Sequence, residues 1–561
     1  MVENQSSPFI TQIHLQRLQQ LSRYYSLNIA ATTDVQTLAE QLSCSERNIA
    51  KLMKTLASIG WISWKPGRGR GNKSEITLLD SFESALMSVL EQHCHKGHLS
   101  EAARYADLFG YEEMFRKKLP SWLTQAQESL KNLNTLVTLV PYSLPIMHPL
   151  WAYRSSSRLY IEAMFDTLLK YDNETGAIRP HLAHHYEFRE NELWLRIRPD
   201  VHFHNGEKLT AQHVAKCIED RVSKPHNYQI LYRHILEVVA EGLWVVIKMS
   251  QRHESILHLL SEAHAPIYLD SPEQEIPYGT GPYALEASSE HHWILAKNPN
   301  YFSAGGFIDR AEFWTSDDAD SSVQGHIVHH RCPASPSGGV DKISLQTGCD
   351  VIEFKHHQSE LSMDEKAWIF HQAREFCRQQ ASDYIPIANS ITGYHQNKGV
   401  FLYHPNQSKP TRPLRVCISG QTEPRLKLIE HLRQQGAEIE LFPLEHLKQT
   451  WIDFAVGGYV FPNNTVFGYY KWLLTSLAFT SCLSAEQQQA FLSIVDQLML
   501  ASDTEQDFLN ELYRCEDWLI QNGVFVPLWR DSESYDVANS LHGLETDSAG
   551  ILSLQRLWFD S

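Results

Sequence analysis

Apolar residues recur at helical spacing twice between Thr33 and Leu56. Val35, Leu38, Ala39 and Leu42 fall at i, i+3, i+4 and i+7, the spacing of one helix face. Thr33 with Gln36 three residues on has the capping-box form that starts such a helix. After a break at Ser43-Cys44, Ser45 stands where it caps a second helix. Its buried face is Ile49, Leu52, Met53 and Leu56, and its opposite face presents Arg47, Asn48, Lys51, Lys54 and Thr55. Trp61, Ile62 and Trp64 then lead into "KPGRGRGNKS", and Ile76 and Leu78 follow. Strand, glycine-rich loop, strand predicts a β-hairpin.

Residues 81–130 carry helical patterning without strand signals and predict a few short amphipathic helices. From "LNTLVTLVPY", Leu133 to Tyr142, short β-rich runs, turns and helices alternate to the end, as in a large mixed α/β body. The polar section Ser316 to Asp341, with "SPSGG" at 335–339, reads as a crossover between two lobes or a surface insertion. No short-period repeat is present.

Charge sharpens this division. The 561 residues carry a net charge of -17, yet residues 1–80 hold nine Lys and Arg against six Asp and Glu. Seven basic residues and no acid lie between Arg47 and Ser74. An acidic body repels DNA and anionic membranes, so a polyanion must meet this one patch. Nine scattered cysteines without a C-x-x-C pair read as reduced thiols. Neither a charged n-region with an apolar run nor 18 consecutive apolar residues is found. The expectation is a cytoplasmic protein with no membrane partner.

Two short helices joined by a tight turn, the second basic outside, have helix-turn-helix arithmetic. With a hairpin directly after the second helix, the module resembles the winged helix-turn-helix family. In that reading Arg47, Asn48 and Lys51 sit near the start of the second helix, placed for base edges, and the capping Ser45 is counted among the DNA-binding residues. Lys54 and Lys65 are placed for phosphates, and Arg68, Arg70 and Lys73 line the wing. The rival is a phosphate loop of the G-x-x-x-x-G-K-[ST] form. Asn72 replaces its last glycine and a strand follows instead of a helix, which breaks the anion-binding geometry.

In the body, "LRIRPDVHFHNGEKLTAQHVAKCIEDR" (Leu195 to Arg221) predicts strands at Leu195, Ile197, Val201 and Phe203. A turn follows at His204-Asn205-Gly206, then a helix capped by Thr210. This run resembles the signature region of the family 5 extracytoplasmic solute-binding proteins, which bind peptides, oligosaccharides or nickel for importers. "IPYGTGPYAL" (276–285), "AKNPNYFSAGGFIDRAEF" (296–313) and "VFVPLW" (524–529) follow in the family's order. The last resembles the strand by which the chain returns to the first lobe. The resemblance implies an α/β multidomain fold: a small winged helix-turn-helix plus a large two-lobed, periplasmic-binding-protein-like (type II) α/β body. The expected boundaries are 1–80, a helical connector at 81–131, and a sensor body at 132–561 whose second lobe covers approximately 325–515. That body, joined to an N-terminal helix-turn-helix, is similar to the SgrR-type regulators, which respond to sugar-phosphate stress.

The implied partners are double-stranded promoter DNA and a small ligand, a sugar phosphate, sugar or peptide. Tyr142, Arg154, Arg158 and Tyr283 are the first-lobe candidates for the ligand, and Trp451, Asp453, Gly458 and Tyr459 the second-lobe ones. Aromatic faces suit sugars and arginines suit a phosphate. "WIDFAVGGYVFPNN" (451–464) departs from the run that peptide-binding members carry there. The alternative is a transport-type solute-binding protein with a vestigial N-terminal module. "HCHKGH" (93–98) and "HIVHHRC" (326–332) have no structural-zinc spacing, so no metal or other cofactor is expected. No hydrolase, metalloprotease or dinucleotide signature is present, so no catalytic residue and no enzyme are expected.

Overall fold

The computed structural model describes residues 11–67, 73–316, 326–331, 342–355, 360–383, 385–393, 395, 406–420, 422–444, 446, 451–501 and 505–560. Two compact units, Met1–Leu133 and Asn134–Ser561, make up the chain.

The first unit opens with α1 (Gln12–Leu21), β1 (Ala31–Thr33), α2 (Val35–Gln41), α3 (Glu46–Ile59), β2 (Ile62–Lys65) and β3 (Ser74–Leu78). β3 lies between β1 and β2, antiparallel to both. The cap of α2 is Asp34, whose Oδ1 accepts the Thr37 N–H at 2.8 Å. Thr33, expected as the cap, is instead the last residue of β1. It faces Ser74, and its hydroxyl accepts from Tyr25 at 3.0 Å. The turn between α2 and α3 passes through Ser43 at φ +46°. Leu38, Leu42, Ile49, Met53 and Leu56 are fully buried, each contributing about 1.5–3 kcal/mol on burial. Val35, expected on that face, is exposed, and Leu52 is only half-buried.

Three helices follow: α4 (Phe82–His95), α5 (Leu99–Phe109) and α6 (Glu112–Asn132). Not all are short, since α6 runs for 21 residues. It buries Phe115, Leu119, Trp122, Leu123, Ala126 and Leu130 and packs on α4 and α5.

The second unit is built on three principal sheets. A seven-stranded sheet has the order Tyr283–Ser288, His292–Lys297, Arg310–Thr315, Thr135–Val140, Ile327–Arg331, Ser532–Val537, Lys342–Leu345. All six residues of its central strand Thr135–Val140 are buried, as "LVTLV" demands. A four-stranded antiparallel sheet, Ala183–Arg189, Glu192–Ile197, Trp244–Met249, Ile235–Glu241, carries the helix Ala211–Ser223. Thr210 caps that helix in a capping box with His213, and Gly206 turns at φ +87°. Val201 and Phe203 are buried but lie outside any strand. A five-stranded sheet has the order Ile439–Pro443, Leu414–Ile418, Phe454–Val460, Gly348–Phe354, Phe525–Pro527.

Among the described residues the chain passes between the seven- and five-stranded sheets at Gln346-Thr347 and at Leu528 to Asp531. The strand Phe525–Pro527 is therefore still paired in the five-stranded sheet, with Gly348–Phe354. The return to the first lobe is made by Ser532–Val537. Likewise the described strands before, within and after the section 316–341, namely Arg310–Thr315, Ile327–Arg331 and Lys342–Leu345, all belong to the seven-stranded sheet, which does not fit a crossover between lobes. The strands of the second lobe run from Gly348 to Pro527, and the expected start near 325 would take two strands from the first.

Candidate nucleic-acid interface and solute cleft

On α3 the apolar stripe Ile49, Met53, Leu56 is buried, which turns Arg47, Asn48, Lys51 and Lys54 to solvent. Arg47, Lys51 and Lys54 stand at i, i+4 and i+7, one continuous basic stripe. Ser45 holds the N-cap position with extended backbone, without a side-chain cap bond. Lys65 and Glu75 face each other across the hairpin, Nζ to Oε1 at 2.7 Å. Lys65 thus has an intramolecular partner that competes with a phosphate. Ser74 Oγ accepts the Gly67 N–H at 3.0 Å, at the loop end of the hairpin. Lys73 is exposed beside it. Arg68 and Arg70 lie outside the described residues.

The corner around Gly279 and Gly281 holds the first lobe together. A Cβ at Gly279 would stand 1.9 Å from the Met164 carbonyl oxygen, and one at Gly281 2.4 Å from the Met164 carbonyl carbon. No side chain fits there. Beside it Asp166, 2% exposed, accepts from His181 at 2.7 Å, Thr280 at 3.0 Å and Tyr301 at 2.9 Å. Burial alone would raise the Asp166 pKa, but these donors hold it below the usual carboxylate range. Both signature runs, 276–285 and 296–313, therefore meet on one buried carboxylate.

The two crossing segments lie side by side. The Gln346 N–H donates to Asp531 O at 2.9 Å, and Arg530 Nη2 donates to Gln346 O at 2.8 Å. Gly348 follows at φ +137°, where a Cβ would stand 2.0 Å from the Tyr459 carbonyl oxygen.

Across the lobe boundary several polar pairs meet. Arg233 of the first lobe donates to the Tyr470 hydroxyl at 3.0 Å and pairs with Asp496. His234 lies 3.2 Å from Asp496, Glu262 pairs with Lys471, and Asn464 bonds His258 at 2.7 Å. An apolar core that includes Tyr232 and Ile256 from one side and Phe461, Phe467 and Leu473 from the other runs continuously beneath them. None of these polar residues was singled out from the sequence. The one available signal was Lys471, a lone charge in the apolar helix "FGYYKWLLT", which demands a buried partner.

The eight expected ligand contacts do not form one group. Arg158 lies near this boundary, but its guanidinium already pairs with Glu162 at 2.6 Å and Asp547 at 2.5 Å. Tyr142 is half-buried, its hydroxyl 3.3 Å from that of Tyr160 and its ring beside His329. Arg154 is exposed, with its guanidinium over the ring of Tyr153. Tyr283 is a core residue: it is fully buried and its hydroxyl donates to Ile308 O at 3.1 Å. Asp453 is 1% exposed and accepts both Nη atoms of Arg412, at 2.6 and 2.9 Å, besides the Arg415 N–H. Its role is to bind the second lobe's own chain. Gly458 leaves the space taken by the Asp350–Arg425 pair, since a Cβ would stand 2.1 Å from Asp350 Oδ1. Trp451 packs on Phe442 with ring centroids 4.7 Å apart. Tyr459 donates to the buried Glu353 at 2.9 Å, and burial pushes that carboxyl up to about 7.

His264 was also missed. It is 6% exposed, stacks on Tyr228 at 4.1 Å, and neither ring nitrogen has a hydrogen-bond partner among the described residues. Of the expected histidine cluster at 326–332, His326 accepts the Val137 N–H at 3.1 Å and His329 bonds Glu533 at 2.6 Å, so both are engaged within the sheet. Among the described residues no helix is long and apolar enough to cross a membrane.

Comparison with known proteins covers both units. Residues 14–129 match the family described as "Sugar transport-related sRNA regulator N-term", and 177–326 match "Bacterial extracellular solute-binding proteins, family 5 Middle". The HTH-type transcriptional regulator SgrR of Yersinia enterocolitica is 27% identical over 563 residues, covering 94% of this chain and 95% of its own. Among solved structures, the solute-binding protein AgaA in complex with agropinic acid aligns with a TM-score of 0.62 at 15% identity. It covers 76% of this chain and 99% of its own. NikA from Staphylococcus aureus, in complex with Ni(L-His)2, aligns with a TM-score of 0.58 at 14% identity, over 75% of this chain and 99% of its own. These likenesses establish the two-lobed fold of the second unit. The chain is thus similar over nearly its whole length to SgrR-type regulators, and it joins a region like the SgrR N-terminal family to one like the family 5 solute-binding proteins.

Proposed function

We propose that this protein is a cytoplasmic DNA-binding transcriptional regulator whose solute-binding body senses a small polar metabolite and switches promoter binding. The observation that carries the reading is the exposed basic stripe of α3 beside a hairpin, in a chain that is otherwise strongly acidic. Arg47, Asn48 and Lys51 read base edges, while Lys54, Lys73 and the hairpin arginines Arg68 and Arg70 neutralise phosphates.

The metabolite binds between the lobes, and a sugar phosphate or related sugar is the class to test first. Polar groups gather at that boundary, and the unbonded nitrogens of His264 are ones that a hydroxylated solute or a water would satisfy. Arg158 takes an anion only by exchanging Asp547 for it, so a phosphate must compete with a carboxylate already in place. The two adjacent crossing segments suit hinge motion. A solute that prefers one lobe arrangement shifts the population toward it, and a near-complete switch needs about 5 kcal/mol of differential affinity.

Calorimetric titration of the full chain with glucose 6-phosphate and with glucose tests the ligand class. Binding of the phosphate ester that weakens at least tenfold in Arg158→Met supports it. Heat of binding unaffected by that substitution would remove Arg158 from the site.

A further inference from the structure

The corner between α4 and α5 carries a feature that neither DNA binding nor solute sensing uses. α4 ends in a left-handed turn at Gly97, φ +80°. The Gly97 N–H donates to Cys94 O at 2.8 Å, and the His98 N–H donates back to His93 O at 2.9 Å. This is the Schellman arrangement, which brings the third residue from a helix end against the second residue beyond its cap. Those two positions normally make an apolar contact. Here they are His93 and His98, with ring centroids 6.2 Å apart.

His98 is also the N-cap residue of α5, so Glu101 holds the third helical position. A side chain there turns back toward the cap, as in a capping box. Its Oε2 lies 3.5 Å from Nδ1 of His93. Two local motifs, one ending α4 and one starting α5, thus aim two imidazoles and a carboxylate at one point. One ligand atom from each of the three lies within 4.8 Å of the others.

We propose that His93, His98 and Glu101 form a transition-metal site that staples α4 to α5. Two imidazole nitrogens and one carboxylate oxygen suit Zn2+, Ni2+ or Co2+, with further positions left to water. Donors about 2.0–2.1 Å from a tetrahedral ion stand roughly 3.4 Å from one another. The His93–Glu101 pair already has that spacing, so rotation of the exposed His98 ring completes the set. Nδ1 of His93 is buried and makes no hydrogen bond among the described residues, and the Glu101 carboxylate approaches it only to 3.5 Å. Arg104 approaches the other carboxylate oxygen, Oε1, at 3.8 Å and leaves Oε2 to the metal.

Cobalt(II) is the probe, because its visible absorption reports ligand type and geometry. The full chain, titrated with Co2+ and followed by absorption and by thermal unfolding, is expected to bind one equivalent with a rise in Tm. His98→Ala and Glu101→Gln should each weaken that equivalent at least tenfold and abolish the Tm rise. Both positions are partly or fully exposed, and circular dichroism checks that the variants fold. Spectra and affinity unchanged in both variants would place the metal at other histidines and overturn the proposal, as would no binding by the parent chain.

Discussion

Asn464 and His258 meet across the boundary between the two lobes, with the amide nitrogen 2.7 Å from Nδ1 of the imidazole. The Asn464 oxygen accepts the Phe467 N–H at 3.3 Å and caps the helix Thr465–Thr475. One side chain thus starts a helix and joins the lobes. Asn464→Ala removes a cap and a buried hydrogen bond, and should cost about 1–3 kcal/mol. It should also increase the radius of gyration measured by X-ray scattering. A variant with unchanged stability and dimensions would show that the contact does not hold the lobes together.

The glycine at 458 is required by an ion pair and by no turn. Arg425 Nη2 and Nε each lie 2.6 Å from an oxygen of Asp350, which is 1% exposed. A Cβ at 458 would stand 2.1 Å from Asp350 Oδ1 and 2.7 Å from Arg425 Nη2. Breaking a buried pair from one side typically costs about 3–5 kcal/mol, so Gly458→Ala should destabilise the protein by an amount of that order in urea unfolding. Stability within ~0.5 kcal/mol of the parent would contradict this packing.

Glu516 links the helix Glu505–Gln521 to the loop at Ile391, whose N–H it accepts at 2.7 Å, and to the Tyr469 hydroxyl. Burial pushes its pKa up from 4.5 to about 8. Between those values the unfolded chain has released a proton that the folded chain still holds. Stability therefore falls as pH rises from about 4.5 to about 8. Glutamine has the shape of the protonated acid. Glu516→Gln should match the parent near pH 5 and exceed it at pH 8 by up to about 4 kcal/mol. Equal stabilities at both pH values would show that Glu516 titrates normally.

At the hairpin, Glu75 competes with DNA for Lys65. Glu75→Gln should tighten DNA binding and steepen its salt dependence by at most about 0.9 in slope, one phosphate contact. Arg68→Ala with Arg70→Ala should flatten the same plot. Slopes unchanged in both variants would take the hairpin out of the interface.

What could be read from the chain follows contact range. Ile49, Met53 and Leu56 were legible because a helix face is set within seven residues. The fold of the body was legible through corner glycines such as Gly281, whose missing side chain is itself the signal. Thr33 was misassigned as a cap because β1, only three residues long, pairs with residues about 40 positions later. Asp453 and Tyr283 looked available for a solute for the same reason. The arginines that neutralise Asp453 lie about 40 residues before it, and the carbonyl that accepts from Tyr283 lies 25 residues after. The lobe-bridging pairs join residues more than 200 positions apart, where local periodicity carries no information.

One chain that binds promoter DNA also responds to a metabolite in the proposed function. That function is tested most directly by fluorescence anisotropy of the full chain on the DNA upstream of its own gene, titrated with salt, with and without glucose 6-phosphate. Tight, salt-sensitive binding is expected, weakened in Arg47→Ala with Lys51→Ala and shifted when the sugar phosphate is present. Absence of salt-sensitive DNA binding, with the sugar phosphate still bound by the body, would contradict the proposed function and leave a solute-binding protein with an idle N-terminal module.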